Sequence, residues 1–392
     1  MIVLLPHPPA LSAAGPVPRI LAPAPRQTSF GHVIVKLAPG TTRVRVFVGK
    51  AMKVERATTG SRFKATIALP RRDTKIRVVA FNASGASRED SVGQVYGLPR
   101  SAFPRGTLNR LDPVLQRRLR NLASTLPGIT AFYVVNLRTG IGAAWNAKAR
   151  FPAASTVKIA IAIAVMRELR GIPQPGSRLA MLLRTMLENS SNEAANELLE
   201  WLGGSQTRGA SKVDAMLDTI HVGDTYLYSG YILGTSYSAQ RPIPLNVVAR
   251  PSFAGKYTSA WDLAKLHRYL HLATAGTGPL VHRLGGFSSS DARSLLYLLC
   301  HSADHGKLDL YVRGPGVAVP HKAGWISTAR HDAGIVYFPG GGFVMSVMTW
   351  NGNGISTTSD VLAGRMAKAA LDRYRALLRS RPGMAPDRGT AF

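Results

Sequence analysis

The chain of 392 residues has one cysteine, Cys300. No intramolecular disulfide can form, so packing, hydrogen bonds and charge must hold the fold. Acids are also scarce: 21 Asp and Glu stand against 49 Lys and Arg, a formal charge of +28. The basic residues are spread along the chain, and no zinc knuckle, helix-turn-helix or interleaved basic and aromatic motif accompanies them. Specific nucleic-acid recognition therefore has no support, and the charge reads as a solvated, Arg-rich surface that also suits anionic envelope polymers. Long apolar runs are missing too. The richest, from Ile159 to Met166, ends at Arg167, well short of the roughly 20 residues that cross a bilayer, which excludes a membrane span. The opening Met-Ile-Val-Leu-Leu has no basic n-region and breaks at Pro6, Pro8 and Pro9. It reads as an incomplete secretory signal, followed by a Pro-rich leader expected to be disordered over 1–28.

What is present begins with alternation. Val44, Val46 and Val48 interleave with Arg43, Arg45 and Phe47, and Phe63, Ala65, Ile67 and Leu69 repeat the period. Ile76, Val78 and Ala80 share one face of a third run. Turn signals at Pro39-Gly40, Thr59-Gly60 and Ser84-Gly85 separate the runs, which predicts a small β-sandwich over 29–97. Its strand spacing is Ig-like, although no Cys or Trp framework accompanies it. The sandwich holds no acid pair or nucleophile, so it reads as a spacer or binding module. Gly, Pro and Arg then mark a linker over 98–110. Beyond it, from 111 to 380, helical periods follow early strands at 129–137 and 142–145, and strands return at 321–327, 333–338 and 343–349 before a final helix. This order predicts an α/β domain with one mainly antiparallel sheet built from both ends of the sequence. A tail, 381–392, is expected to be disordered.

Three polar clusters in that second domain carry chemistry. Ser155-Thr156-Val157-Lys158 opens a helix that is apolar all round from Ile159 to Val165. Positions i and i+3 share a face, so a lysine losing its charge in a dry pocket becomes a base for the serine hydroxyl. The bland alternative is a helix cap with a solvated lysine. Ser190-Ser191-Asn192 precedes Glu193-Ala194-Ala195-Asn196. Ser190 with Glu193 fits a capping box, and equally a proton relay beside an amide able to grip a substrate carbonyl. Lys322-Ala323-Gly324-Trp325 lies on a late strand, where a lysine suits a carboxylate and a glycine permits close approach, unless the lysine is merely solvated. Cys300-His301 with His305 reads as accidental clustering around a buried thiol, with no metal and no cofactor expected.

In this order the clusters resemble the penicillin-recognising serine hydrolases, and most closely the class A β-lactamase-like family. The resemblance spans about 111–378 and includes Tyr257-Thr258-Ser259-Ala260-Trp261-Asp262-Leu263 and His331-Asp332-Ala333-Gly334. It implies a three-layer β-lactamase/transpeptidase-like fold and acylation of Ser155 by a β-lactam or a peptidoglycan-like peptide. It also implies Lys158 as base or hydrogen-bond partner of Ser155, Ser190 as proton relay and Asn192 on the substrate amide. Lys322, Ala323, Gly324 and Trp325 would bind substrate, with Lys322 on its carboxylate and the Ser155 and Trp325 N–H groups as oxyanion hole. An extracytoplasmic, envelope-associated location follows from the same likeness. The sequence departs from the family in three places. No glutamate occurs between Glu200 and Trp261, Ser191 stands where the family has aspartate, and Ala323 where it has a hydroxyl residue. Slow hydrolysis of the acyl-enzyme is the expectation. A serine peptidase or esterase on another substrate, and a catalytically silent wall-binding protein, are the competing readings.

Overall fold

Val, Ile and Phe recurring at every second position make strands whose one face must be buried, and the chain satisfies this twice, in two separate cores. The computed structural model describes residues 15–107, 109–233 and 255–380. The chain divides into two compact units, Met1–Gly97 and Leu98–Phe392.

The first unit is all β. Its strands are β1 (Arg19–Ala22), β2 (Gln27–Ser29), β3 (His32–Lys36), β4 (Arg43–Val48), β5 (Ala51–Ala57), β6 (Arg62–Thr66), β7 (Asp73–Phe81) and β8 (Ser87–Gly97). They form a three-stranded sheet, β1-β3-β6, and a five-stranded sheet, β2-β8-β7-β4-β5. One apolar cluster draws on both, with Val33, Val35, Phe63 and Ala65 from the first sheet and Val44, Val46, Ile76 and Val78 from the second. Two sheets sharing a core make a sandwich. The Pro-rich leader needs correcting: it is not disordered throughout 1–28. Arg19–Ala22 pairs antiparallel with β3 and Ile20 N donates to Asp90 Oδ2 at 2.7 Å. The strand itself is free of proline, with Pro18 and Pro23 flanking it, so no ladder N–H is lost.

The second unit runs β9 (Arg110–Leu111), α1 (Pro113–Ala123), β10 (Ile129–Asn136), β11 (Ile141–Trp145), β12 (Arg150–Pro152), α2 (Lys158–Leu169), α3 (Arg178–Glu188), α4 (Asn192–Gly203) and α5 (Gln206–Thr219). It continues with β13 (Tyr257–Ser259), α6 (Ala260–Ala273), α7 (Pro279–His282), α8 (Ser289–Cys300), β14 (His321–Ile326), β15 (Ala329–Phe338), β16 (Gly341–Trp350) and α9 (Thr358–Arg379). The six-stranded sheet has the order β14-β15-β16-β10-β11-β9. Every pairing is antiparallel except β11 with β9. Early and late strands meet where β10 lies beside β16, so both ends of the domain must fold before the sheet exists. α1 and α9 cover one face, with Leu115, Leu119, Met366 and Tyr374 in a core shared with Phe132, Val336 and Phe343.

The expected linker is also different from a free connector. Arg268 donates to Thr107 O at 2.8 Å, Gly340 N donates to Ser101 Oγ at 3.1 Å, and Arg110–Leu111 adds a strand to β11. These hydrogen bonds bind the stretch to the second unit. The irregular region expected from Gly223 to Lys256 is described only at its two ends; 234–254 lies outside the described residues, as does the tail beyond Ser380. A helix over Gln206–Thr219 went unread in the sequence, because Gly209 and two polar turns of surface mask its period. Gly209 is required there by a close crossing, since a Cβ would lie 2.0 Å from Leu199 O of α4.

Candidate active site

α2 is buried on all sides from Lys158 through Met166, as an apolar helix with no polar face should be. It begins at Lys158 with Val157 as N-cap and no side-chain cap. Ser155 therefore does not cap the helix; it sits in the turn between β12 and α2. That turn is bound on several sides. Thr156 Oγ1 donates to Ala153 O at 2.6 Å and Ala153 N to Lys256 O at 2.9 Å. His331 Nε2 meets Pro152 O at 2.8 Å, while Thr349 N donates to His331 Nδ1 at 3.2 Å. One ring nitrogen accepting makes the other the donor, a neutral imidazole, and burial holds its pKa down to about 4. Ala154, just before the serine, has φ of 47°, a left-handed conformation that costs a non-glycine residue about 1 kcal/mol or more.

Lys158 is fully buried. Its Nζ donates to Ser190 O at 2.5 Å and to Asn192 Oδ1 at 2.7 Å, and lies 4.5 Å from the centroid of the Tyr231 ring. Burial, then the neighbouring Lys322, pushes its pKa down to about 6, with Glu193 opposing and Lys256 assisting. At neutral pH the amine is mostly uncharged. A neutral amine has two hydrogens and one lone pair, and the two hydrogens are taken by Ser190 and Asn192. Among the described residues no hydrogen bond joins Nζ to Ser155 Oγ, so the lone pair is left to take a proton.

Ser190 also has a left-handed backbone, with φ of 61°. The capping-box alternative for this residue is wrong by one position: Ser191 is the N-cap of α4, its Oγ accepting from Ala194 N at 3.0 Å and donating to Glu193 Oε2 at 2.9 Å. That leaves the Ser190 hydroxyl outside the cap, where it accepts from Lys322 Nζ at 2.9 Å. Lys322 is fully buried as well, also donates to Ala323 O at 2.8 Å, and is held down to about pKa 8 by burial against the pull of Asp304 and Asp332. A solvated strand lysine is excluded. Gly324, two residues on and so on the same face of β14, brings the strand against the serine turn: a Cβ there would lie 2.6 Å from Ser155 N and 2.8 Å from Thr156 N. Ser155 N–H makes no hydrogen bond to any described residue. Trp325 is 60% exposed at the rim, with the Arg330 guanidinium 5.5 Å from its ring centroid.

The three sequence clusters thus meet at one crevice. Lys158 and Lys322 both bond Ser190, Asn192 bonds Lys158, and β14 abuts the Ser155 turn through Gly324. Asn192 faces the crevice with its Oδ1 already bound to Lys158 and its Nδ2 3.4 Å from Ile232 O. Asp224, an acid of the irregular region, is structural: its Oδ1 accepts from Arg150 Nε at 3.0 Å. Asp214 is occupied likewise, accepting from Leu227 N and Tyr228 N. Sequence reasoning missed Tyr231 and Lys256 as supports of the crevice, while His331 was read only as part of a strand lining it. Aromatic and lysine residues at the ends of a long irregular region carry no spacing rule that would have selected them.

The potential metal ligands that gather in space are also not those adjacent in sequence. His305, Asp309 and His321 present donor atoms within 4.8 Å of one another, without Cys300 or His301. Ion pairs already engage them: His305 Nδ1 lies 2.9 Å from Asp309 Oδ2, Arg313 Nε donates to the same oxygen, and His321 Nδ1 lies 2.9 Å from Asp332. Burial opposes a charge on His321, but the Asp332 carboxylate overcomes it and raises its pKa. This charged hub underlies the strand that carries Lys322.

A buried apolar helix headed by serine and lysine, an antiparallel sheet edge and a shared serine define a serine-hydrolase type of α/β domain. The profile of the Beta-lactamase enzyme family matches residues 114–171 and 172–374, and the chain belongs to this family. Among solved structures, PBP-A is similar with a TM-score of 0.53 at 19% identity, covering 69% of this chain and 98% of its own. The β-lactamase from Sphaerobacter thermophilus DSM 20745 gives 0.51 at 20% identity, covering 68% and 98%. That from Streptomyces albus G gives 0.52 at 19%, covering 66% and 99%. At such identities the likeness establishes the fold. The uncovered part of this chain agrees with an additional N-terminal all-β domain. No curated protein matches.

Proposed function

We propose that this protein is an acyl-transferring serine hydrolase that opens a β-lactam or a peptidoglycan-like amide on Ser155. The observation that supports it is the convergence of two buried lysines on Ser190 next to the Ser155 turn. Lys158, neutral above about pH 6, takes the Ser155 proton as Oγ bonds to the acyl carbon. The oxyanion develops toward the Ser155 and Trp325 N–H groups, each such donor contributing about 3 kcal/mol. When the C–N bond breaks, Ser190 Oγ gives its proton to the leaving nitrogen and recovers one from the Lys158 ammonium, which returns Lys158 to its neutral form and leaves Lys322 charged. Asn192 and Lys322 orient the substrate amide and carboxylate. Lacking a hydroxyl at Ala323, the carboxylate site is simpler than the family pattern implies.

Hydrolysis of the acyl-enzyme is slow in this reading. From 201 to 260 the only acids are Asp214, Asp218 and Asp224, and two of them hold backbone or arginine as described. PBP-A, one of the similar structures, has been solved in variant form as an acyl-enzyme complex with penicillin G. The N-terminal sandwich, Ig-like in strand spacing, would serve as a spacer or binding module, and the positive charge would attach the protein to anionic envelope polymers outside the cytoplasm. Intact-mass measurement after exposure to a penicillin tests the central claim. Addition of one penicillin mass, lost over hours, is expected; an unmodified mass in folded protein would remove β-lactam recognition and leave an esterase or peptidase on another substrate.

A further inference from the structure

The crevice contains a third lysine that the reaction does not use. Lys256 precedes β13, and its Nζ donates to Gly230 O at 2.5 Å while lying 4.9 Å from the ring centroids of both Tyr228 and Tyr231. Tyr231 therefore has two lysine nitrogens within 5 Å of one ring, Lys158 Nζ at 4.5 Å and Lys256 Nζ at 4.9 Å. Its hydroxyl donates to Ala154 O at 3.2 Å, and burial keeps that phenol protonated by raising its pKa. Its backbone is clamped on both sides by one side chain: Asn196 Nδ2 donates to Tyr231 O at 2.8 Å and Tyr231 N to Asn196 Oδ1 at 2.6 Å. A side chain at Gly230 would displace the Gln206 amide, whose Oε1 lies 1.8 Å from where a Cβ would stand, and crowd Asn196 Oδ1 at 2.7 Å. Lys256 O in turn accepts from Ala153 N. Residues 153 and 154, the two before the nucleophile, are thus held by Lys256 and Tyr231 respectively.

We propose that Lys256 and Tyr231 form a positioning unit for acylation of Ser155: Lys256 fixes the Tyr231 ring, and that ring and hydroxyl hold Lys158 and the Ala154 carbonyl in register. The inference rests on the Ser155 acylation reading. The unit has an electrostatic component as well as a mechanical one. Charged and titratable groups facing Lys158 are Lys322 from β14, Glu193 from α4, Lys256 and the Tyr231 phenol. Glu193 is fully exposed and draws a proton onto Lys158, whereas the two lysines repel it. A ring between the two amines favours whichever of them carries a charge by cation–π attraction without supplying a proton acceptor. A carboxylate in that place would instead hold Lys158 charged.

The test uses the full-length protein with Lys256→Gln, Lys256→Arg and Tyr231→Phe, each checked for native thermal unfolding. Lysine-selective 13C labelling, with Lys158→Arg for assignment, follows the Lys158 Cε resonance against pH. Acylation by a fluorescent penicillin is measured over the same range. Lys256→Gln is expected to raise the Lys158 midpoint by about half a unit and lower maximal acylation about tenfold, while Lys256→Arg restores the midpoint. Tyr231→Phe is expected to lower the maximal rate roughly tenfold with the midpoint unmoved. An unchanged midpoint and an unchanged rate in Lys256→Gln would overturn the proposal. If wild type is not acylated at all, the acylation reading fails, and the resonance titration alone then decides whether Lys256 and Tyr231 govern the lysine. Should Lys256→Gln not fold, Tyr231→Phe carries the comparison, and a wild-type acylation rate in that variant would overturn the proposal.

Discussion

The two units of this chain keep their positive charge in opposite places. In the sandwich, Arg77 lies 4.2 Å over Phe47 and pairs with Glu89 at 2.8 Å, and Arg43 covers Phe81 at 4.5 Å while reaching Glu55. These guanidiniums stay hydrated at the surface, with their stems on aromatic faces. In the hydrolase unit Lys158 and Lys322 are wholly buried, and their hydrogen bonds go to neutral oxygens rather than carboxylates. A cation at the surface is nearly neutral for stability. A cation drawn inside without a counter-ion is destabilising, so the residues that break the surface rule mark the crevice to which the proposed acylation is assigned.

The sharpest break of this contrast is at Ser155 and Lys158. Ser155→Ala should abolish covalent labelling in intact-mass spectra. Lys158→Met should slow acylation by about 10³-fold, within the range of a lost general base, yet raise unfolding free energy by about 1–3 kcal/mol in urea titrations, because an apolar side chain replaces a buried amine. A Lys158→Met protein less stable than wild type would show that the buried amine is structural. Gly324→Ala comes next. With a Cβ 2.6 Å from Ser155 N, β14 or the serine turn must shift, and acylation is expected to fall about 10²-fold with a smaller change in melting temperature.

The pH dependence separates the two regions further. Lys158 is protonated below about pH 6 when folded and below about 10.5 when unfolded, so between these values the unfolded chain binds more protons and stability rises with pH. Lys322 and Lys256, held near 8, act in the same direction from about 8 upward. Acylation should rise through about pH 6, and the stability advantage of Lys158→Met should shrink as pH climbs toward 10. A flat difference would contradict the depressed amine. Arg77→Gln in the sandwich is the smallest expected effect, less than about 1 kcal/mol; a larger loss would mean that the surface pairs hold the sandwich together.

The sequence carried the elements well because most have one strong period. Asp112 before Pro113 starts α1 as an N-cap, accepting from Val114 and Leu115, and the final strands keep their alternation. What it could not carry was long-range placement. Ser190 and Ser191 are chemically identical in a capping pattern, and only the fold decides which one caps and which faces Lys322. Ser155, Lys158, Asn192, Lys322 and Gly324 were legible because each belongs to a short ordered motif. Tyr231 and Lys256 were not, since they lie 25 positions apart in sequence and meet only in the fold. The ion-pair hub of His305, Asp309 and His321 was hidden for the same reason: its members lie on different segments, and the adjacent Cys300-His301 pair drew attention away.

The left-handed backbone at Ala154 and Ser190 limits how this crevice can evolve. Glycine would relax either position, but at 190 it deletes the hydroxyl that Lys322 holds, and at 154 it loosens the segment beside Ser155. Stabilising drift is therefore closed to these two sites so long as selection demands the proposed acylation. In a descendant that had abandoned the reaction they should be among the earliest positions to change, a record of lost activity written in the backbone.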